Sequence, residues 1–293
     1  MPDARAFSFA ALGPLEVRRK DELIGLAGKE RALLGMLLIN ANATVTRDHL
    51  IAALWDEPPR SAVPNLQTYV SGLRRLLATS APDEGIALRT RAHGYQLLVE
   101  KDRLDLLSFA DLARHGRQRI DHGDLPGARH ELGRAVALSR GRPLEDVSLS
   151  DAARPGLTAI EEQVDQAWSE WVEVRLALGD HHHLIGELRS ATAARPLRER
   201  LWGQLMLALY LAGRRAEALD AYRQVRRILA GQLGIEPGLD LQRLQVAVLN
   251  DEPAPAGVRA TRHAGAGDHC PAFPAPWCLS LVCTHHPRTT GGS

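Results

Sequence analysis

The sequence predicts a mainly α-helical protein, with a small α+β segment at its start and an all-α helical-repeat segment after it. Three observations predict this. Aromatic residues make up only 4% of the chain, so its cores must lean on Leu, Ala and Val, and Ala and Leu are the strongest helix formers. Strand-like alternation is confined to the first hundred or so residues. Further on, sequence features recur with a period of 34 residues, the mark of stacked helical units. A chain of 293 residues suits about two domains. They are expected at 1–100 and 101–250, followed by a tail at 251–293.

Phe7 to Gly13 and Pro14 to Arg18 read as two short strands around a Gly-Pro turn. Lys29 to Ala41 reads as a helix, because Ala32, Leu33, Met36, Leu37 and Asn40 recur at helical spacing. The next helix starts at Thr46, a good N-cap with His49 three residues on. Its apolar face is Leu50, Ile51, Leu54 and Trp55, and Asp56-Glu-Pro-Pro59 stops it. A third helix runs from about Ser61 to Ala78. Ser61 can cap it, and Pro64 then falls in the first turn, where a missing N–H does little harm. Leu66, Val70, Leu73 and Leu77 form its apolar face; Gln67, Thr68, Ser71, Arg74 and Arg75 form its polar face. After a polar turn at Pro82 to Gly85, Ile86–Arg91 and Tyr95–Val99 read as a β-hairpin with glycine in its turn.

The polar face of the third helix carries the functional signal. Asn65, Gln67, Thr68 and Ser71 are short enough to reach base edges, and Arg74 and Arg75 follow as long cations suited to phosphates. The hairpin adds Arg89, Arg91 and His93. Between residues 60 and 99, five arginines face two acidic residues, Asp83 and Glu84. The whole chain, with 36 basic and 35 acidic residues, carries a formal charge of only +1. Any basic surface is therefore local. Taken alone, the helix reads as merely a solvated face with two arginines. Two strands, three helices and an arginine-bearing hairpin together decide for a nucleic-acid role.

That arrangement resembles the winged helix-turn-helix of OmpR-type regulators, and more specifically the SARP family, the Streptomyces antibiotic regulatory proteins. The resemblance is carried by Leu12-Gly-Pro-Leu-Glu-Val17, Lys29-Glu-Arg-Ala-Leu-Leu34, Leu50-Ile-Ala-Ala-Leu-Trp55, Leu66-Gln-Thr-Tyr-Val-Ser71, Leu73-Arg-Arg75 and Gly94-Tyr95. It implies that the third helix enters the major groove and that the wing reaches the adjacent minor groove, where Arg91 would sit. The residues expected at DNA are Asn65, Gln67, Thr68, Tyr69, Ser71, Arg74, Arg75, Arg89 and Arg91. Two positions depart from the family pattern. Pro64 stands where the family often has arginine, and Gly72 where it often has a bulky or basic residue. A mid-helix glycine also costs about 1 kcal/mol against alanine.

From Asp105 on, helical patterns dominate. Trp168 and Trp202, Gly179 and Gly213, Leu188 and Tyr222, and Ala191 and Val225 each stand 34 residues apart. The period resembles that of the tetratricopeptide repeat (TPR). A more degenerate copy turns at Gly123, 56 residues before Gly179, so an insertion of 22 residues beyond the 34-residue period separates them. Arg142-Pro143 to Pro155 falls within it. Stacked pairs bury a continuous core that one pair cannot, and Trp168, Trp171 and Trp202 are expected to pack between helices. The region also resembles the bacterial transcriptional activation domain that follows the winged helix in SARP proteins. The carrying residues are Pro196 to Tyr210, Gly213-Arg-Arg-Ala-Glu-Ala-Leu219, Ala221-Tyr-Arg223 and Leu233-Gly-Ile-Glu-Pro-Gly238.

The resemblance implies a homodimer on direct repeats of double-stranded DNA at promoters, contacts to RNA polymerase, and activation of genes for a secondary metabolite such as an antibiotic. A second reading stays open: a TPR-like adaptor or ligand sensor with weakened DNA binding, which Pro64, Gly72 and the near-neutral charge favour.

Other chemistry is not expected. No phosphate-binding G-x-x-x-x-G-K-[ST], no H-E-x-x-H and no G-x-S-x-G occurs, so neither catalysis nor a cofactor is expected. His181-His-His183 reads as exposed polar filler at a repeat turn. Cys270, Cys278 and Cys283 all lie in the tail, at spacings that make no ordinary zinc pair. The tail's Pro, Ala, Gly, His and Thr read as disordered. No signal peptide or membrane span is seen, so a cytoplasmic protein is expected.

Overall fold

The computed structural model describes residues 7–19, 22–77 and 85–252. They form two compact units. One runs to Arg114 and takes in Arg134–Ala167; the other comprises His115–Gly133 and the residues from Trp168 onward.

In the first unit, β1 (Phe7–Ala10), β2 (Glu16–Arg19) and β3 (Glu22–Leu23) make an antiparallel sheet. Then come α1 (Gly28–Ile39), β4 (Thr44–Thr46), α2 (Arg47–Leu54), α3 (Ala62–Leu77) and the hairpin of β5 (Ile86–Arg91) and β6 (Gly94–Val99). The second sheet has the order β4-β6-β5. The Thr46 cap is as expected: its hydroxyl accepts the N–H of His49 at 3.2 Å.

Three details differ from the sequence reading. β3 and β4 are additional strands, of two and three residues, too short for an alternating pattern to reveal. The hairpin turn is Ala92-His93, and Gly94 instead opens β6 opposite Arg91. A Cβ at Gly94 would lie 1.9 Å from the Val45 carbonyl oxygen, so glycine there permits β4 to close on β6. Finally, α1 is buried all round from Ala32 to Leu38, beyond the Ala32, Leu33, Met36 and Leu37 positions that the helical spacing picks out. Its extra cover comes from the inserted segment: Leu144 Cδ1 lies 3.0 Å from where a Cβ on Gly35 would stand. That segment is strapped down by main-chain hydrogen bonds. The N–H groups of Arg140, Leu144 and Ser150 donate to the carbonyls of Leu12, Ala11 and Ala53, at 2.7, 3.1 and 2.9 Å.

The helices that follow are α4 (Asp105–Asp121), α5 (Leu125–Ala137), α6 (Arg154–Ala177), α7 (His181–Ala194), α8 (Glu199–Leu211), α9 (Arg215–Leu233) and α10 (Leu239–Leu249). The repeat is exact at the turns. Gly123, Gly179 and Gly213 have φ of 74°, 84° and 73°, a left-handed conformation that favours glycine. The next residue's N–H reaches back five residues each time: Asp124 to Arg119, Asp180 to Arg175 and Arg214 to Leu209, at 2.9, 2.9 and 2.8 Å. Trp202 is buried and its indole N–H donates to the Pro196 carbonyl at 2.9 Å. Trp168 and Trp171 are partly buried against the same core, so all three pack between helices.

Charge inside this second unit is paired. The Glu173 carboxylate, with its side chain 8% exposed, meets Arg200 at 2.8 Å and accepts the amide of the fully buried Gln204 at 3.1 Å. Burial pushes the Asp180 carboxyl up, but Arg175 and His183, both at 2.7 Å, outweigh it and hold the group below its usual range. His183 is thus tied to the turn, and no cluster of three potential metal ligands occurs among the described residues. No helix among them is long and apolar enough to cross a membrane. The tail beyond 252 and most of the Pro82 to Gly85 turn lie outside the described residues.

Candidate nucleic-acid interface

α3 is positioned by its apolar stripe. Ala62, Leu66, Val70 and Leu73 are buried, and this fixes which residues point outward. The exposed stripe is Pro64, Gln67, Thr68, Ser71, Arg74 and Arg75, as the helical period requires. Pro64 sits in the first turn, as expected. The Ser61 hydroxyl does something different from simple capping: it accepts the side-chain amide of Asn65 at 3.2 Å.

The expected site residues divide into three groups. Gln67, Ser71 and Arg75 stand exposed on the stripe, and Thr68 joins them while its hydroxyl donates to the Pro64 carbonyl at 3.0 Å. Asn65 and Tyr69 are half-buried. Asn65 folds back on Ser61, and the Tyr69 ring stacks on Trp55 with centroids 6.2 Å apart. Lys29 lies 5.8 Å over the far partner of that stack, Trp55. Tyr69 thus packs α3 against the end of α2, while Asn65 ties up the start of α3.

The third group concerns the wing. Arg74 does not project freely: its Nε donates to the Leu88 carbonyl at 3.0 Å and its Nη2 to the Thr90 hydroxyl at 2.6 Å. It ties α3 to β5. Arg89 and Arg91 lie on the other face of β5 from Leu88 and Thr90, because side chains alternate along a strand. Both are exposed. Arg91 donates through Nε and Nη2 to Gln96 Oε1 at 2.8 and 2.6 Å, and the Gln96 amide in turn donates to the Asn42 carbonyl at 2.7 Å. Asn42 has φ of 65° and clamps the end of β6 in both directions, through Val99 N–H and Val99 carbonyl, each at 3.0 Å.

Sequence reasoning missed Thr90, Gln96 and Asn42, since each acts across strands. It also missed Arg47, an exposed cation at the first position of α2, whose N–H donates to the His93 carbonyl of the wing tip at 3.0 Å. A cation there opposes the helix dipole. Gly72 has a local reason: a Cβ would fall 2.3 Å from Glu30 Oε1, so the Glu30 carboxylate of α1 occupies that space.

The electrostatics of this surface are distinctive. Among the described residues, no ion pair involves any residue from Arg47 to Val99. Arg47, Arg60, Arg74, Arg75, Arg89 and Arg91 have no carboxylate partner there. The two that are engaged, Arg74 and Arg91, use neutral acceptors. Neutral partners leave the positive charge uncancelled, so the surface suits a polyanion.

Comparison with known proteins finds two family models in the chain. A family model described as "Transcriptional regulatory protein, C terminal" matches residues 21–97, and one described as "Bacterial transcriptional activator domain" matches residues 104–249. The regulatory protein DnrI of Streptomyces peucetius is 35% identical over 83% of this chain and 92% of its own length. The regulatory protein AfsR of Streptomyces coelicolor is 39% identical over 88% of this chain but only 26% of its own length. The transcriptional regulatory protein EmbR of Mycobacterium tuberculosis is 35% identical over 86% of this chain. The chain spans 66% of the length of EmbR. A solved structure, Mycobacterium tuberculosis EmbR in complex with low affinity phosphopeptide, superposes with a TM-score of 0.80, covering 86% of this chain and 66% of that one.

Proposed function

The chain belongs to the SARP family of transcriptional regulators, and from that premise we propose that it is a sequence-specific DNA-binding activator of a secondary-metabolite gene cluster. One observation carries the proposal furthest: among the described residues, six arginines around α3 and the wing have no carboxylate partner, in a chain whose formal charge is only +1. α3 would lie in the major groove, with Gln67, Thr68 and Ser71 at base edges. Arg75 and Arg47 would meet phosphates, and Arg89 and Arg91 would meet the backbone or the minor groove beside the wing. The division into 1–100 for DNA and 101–250 for activation, a homodimer on direct repeats, contact of the second unit with RNA polymerase and a cytoplasmic location complete the reading.

The second reading, a repeat-based adaptor or ligand sensor, has a structural feature in its favour beside Pro64, Gly72 and the near-neutral charge. A groove of about 570 Å³ on the second unit is lined by Arg189, Pro196, Trp202, Leu209, Glu217 and Gln224. Its rim charges already pair, Arg189 with Glu217 at 2.6 Å, which leaves less for a ligand than the first unit leaves for DNA.

The test is selection of genomic fragments by the full chain, followed by titration at several salt concentrations. Enrichment of promoters with direct repeats about one helical turn apart, and a salt slope near −0.9 per phosphate neutralised, are expected. Weak binding at low salt with no fragment enriched would reject DNA as the main partner.

A further inference from the structure

α10 closes the second unit. One side of it is buried through Leu241, Leu244, Ala247 and Val248. The other side carries Leu239, Gln242, Val246 and Leu249 at steps of three, four and three. That spacing is the seam of a helix that expects a partner. Yet Leu239, Val246 and Leu249 are 67%, 51% and 49% exposed. The Gln242 amide does not make this face polar, because it is engaged by the Pro237 carbonyl at 2.7 Å. Solvating three aliphatic side chains on the last helix of a repeat stack is unfavourable, and terminal repeats normally present a polar outer face.

The sequence beyond the seam supplies a fitting occupant. α10 ends at Leu249, and residues 253–293 follow only three residues later. Apart from Val258 they are polar, small or proline except for one run, Phe273-Pro-Ala-Pro-Trp-Cys-Leu-Ser-Leu-Val-Cys283. We propose that this run, residues 273–283, docks on the exposed Leu239–Val246–Leu249 seam of α10 and caps the repeat stack. The twenty residues 253–272 reach at most about 70 Å when extended. α10, with 11 residues, is about 16 Å long, so every point on it is within reach. A tether also raises the effective concentration of the run at the seam to the millimolar range or so. A small apolar contact can then persist, although it would not hold two free molecules together. A second copy of the chain is the less fitting occupant, since stable interfaces use about 20–30 residues a side.

The test uses a property peculiar to this chain: all three cysteines lie beyond the described residues. Cys278 and Cys283 are inside the run, and Cys270 is just before it. The full chain is treated with a thiol-alkylating reagent, and each cysteine's rate is read by mass spectrometry. The expected result is that Cys278 and Cys283 react about tenfold or more slowly than Cys270, as for groups that react only on local opening. The double substitution Leu239→Glu, Val246→Glu should bring them to the Cys270 rate. Both positions are exposed, and unchanged helical circular dichroism and melting of the described units confirm the fold. Equal rates at all three cysteines in the unaltered chain overturn the proposal. So does protection that survives the double substitution, which would place the run elsewhere. Protection that disappears on dilution also overturns it, and assigns the seam to a second copy.

Discussion

Two regions of this protein, the second unit and the surface of α3 and the wing, use the same residue, arginine, in opposite ways. In the second unit arginine closes on carboxylates: Arg117 on Glu170 at 2.9 Å, Arg175 on Asp180 and Glu187 at 2.7 and 2.9 Å, Arg200 on Glu173 at 2.8 Å, Arg226 on Glu236 at 2.7 Å. Around α3 and the wing, arginine meets a carbonyl, a hydroxyl and an amide oxygen, or nothing among the described residues. A carboxylate partner cancels the charge and helps to set geometry. A neutral partner sets geometry and leaves the charge available. The contrast teaches that net charge is a poor guide to this molecule: the paired unit hides a patch that composition averages to +1.

If the second unit's charges serve structure, removing a buried one should cost stability and spare DNA. Glu173→Ala removes the carboxylate that the Arg200 guanidinium meets at 2.8 Å and one of the two acceptors of the fully buried Gln204 amide, which keeps the Ser169 carbonyl at 3.0 Å. A loss of about 3–5 kcal/mol is expected for a broken buried pair, read by denaturant melting. DNA affinity per folded molecule should stay the same. A fall in affinity at unchanged stability would break the comparison, because it would give this pair a direct part in binding.

The next largest effect tests how the wing is held. Gly94→Ala drives a methyl against the Val45 carbonyl, 1.9 Å away, and neither strand can yield without losing pairing at Thr46. About 2–3 kcal/mol of destabilisation is expected from such overpacking, together with weaker DNA binding. A variant as stable as the parent would show that β4 is not needed to set the wing.

Arg74 and Arg75 sharpen the contrast within the site itself. Arg75 has no partner among the described residues, so Arg75→Ala should cut affinity for all sequences by about tenfold and the salt slope by about 0.9. Arg75→Lys should largely restore both, because a phosphate needs only a point charge. Arg74 bridges two acceptors at fixed separation, which one ammonium reproduces poorly. Arg74→Lys should therefore behave nearly like Arg74→Ala, with wing order lost. Rescue by lysine at both positions would mean that Arg74 swings from the wing to phosphate.

Much of this was legible as local pattern. The helices, the Thr46 cap, the turn glycines and the outward stripe of α3 each follow from residues within a turn or two of one another. Tyr69 and Asn65 are half-buried for a reason the sequence holds. Tyr69 is three residues from Leu66, at the edge of the apolar stripe, and Asn65 is four from Ser61, within reach of its hydroxyl. Other features depend on distant chain. The Leu88 carbonyl that holds Arg74 is 14 residues away, and the strap that buries the second side of α1 comes from more than a hundred residues on. No periodicity reports a partner at that range. β4 is too short to have a period, and Gly94 is explained only once β4 is in place.

The smallest expected effect bears on what the stripe reads. Thr68 donates its hydroxyl proton to the Pro64 carbonyl, but a hydroxyl keeps two lone pairs, and the side chain is exposed. It can still accept from a base edge or lay its methyl on a thymine. Thr68→Ala removes the first contact and keeps part of the second. Discrimination at one base pair should therefore fall by about 1 kcal/mol, the low end for direct readout, in competition binding between the selected site and its single-base variants. The salt slope should not move, since no phosphate contact is lost. An equal loss on specific and random DNA would place Thr68 beside the backbone instead. The reading face of α3 would then shift around the helix toward Gln67 and Ser71.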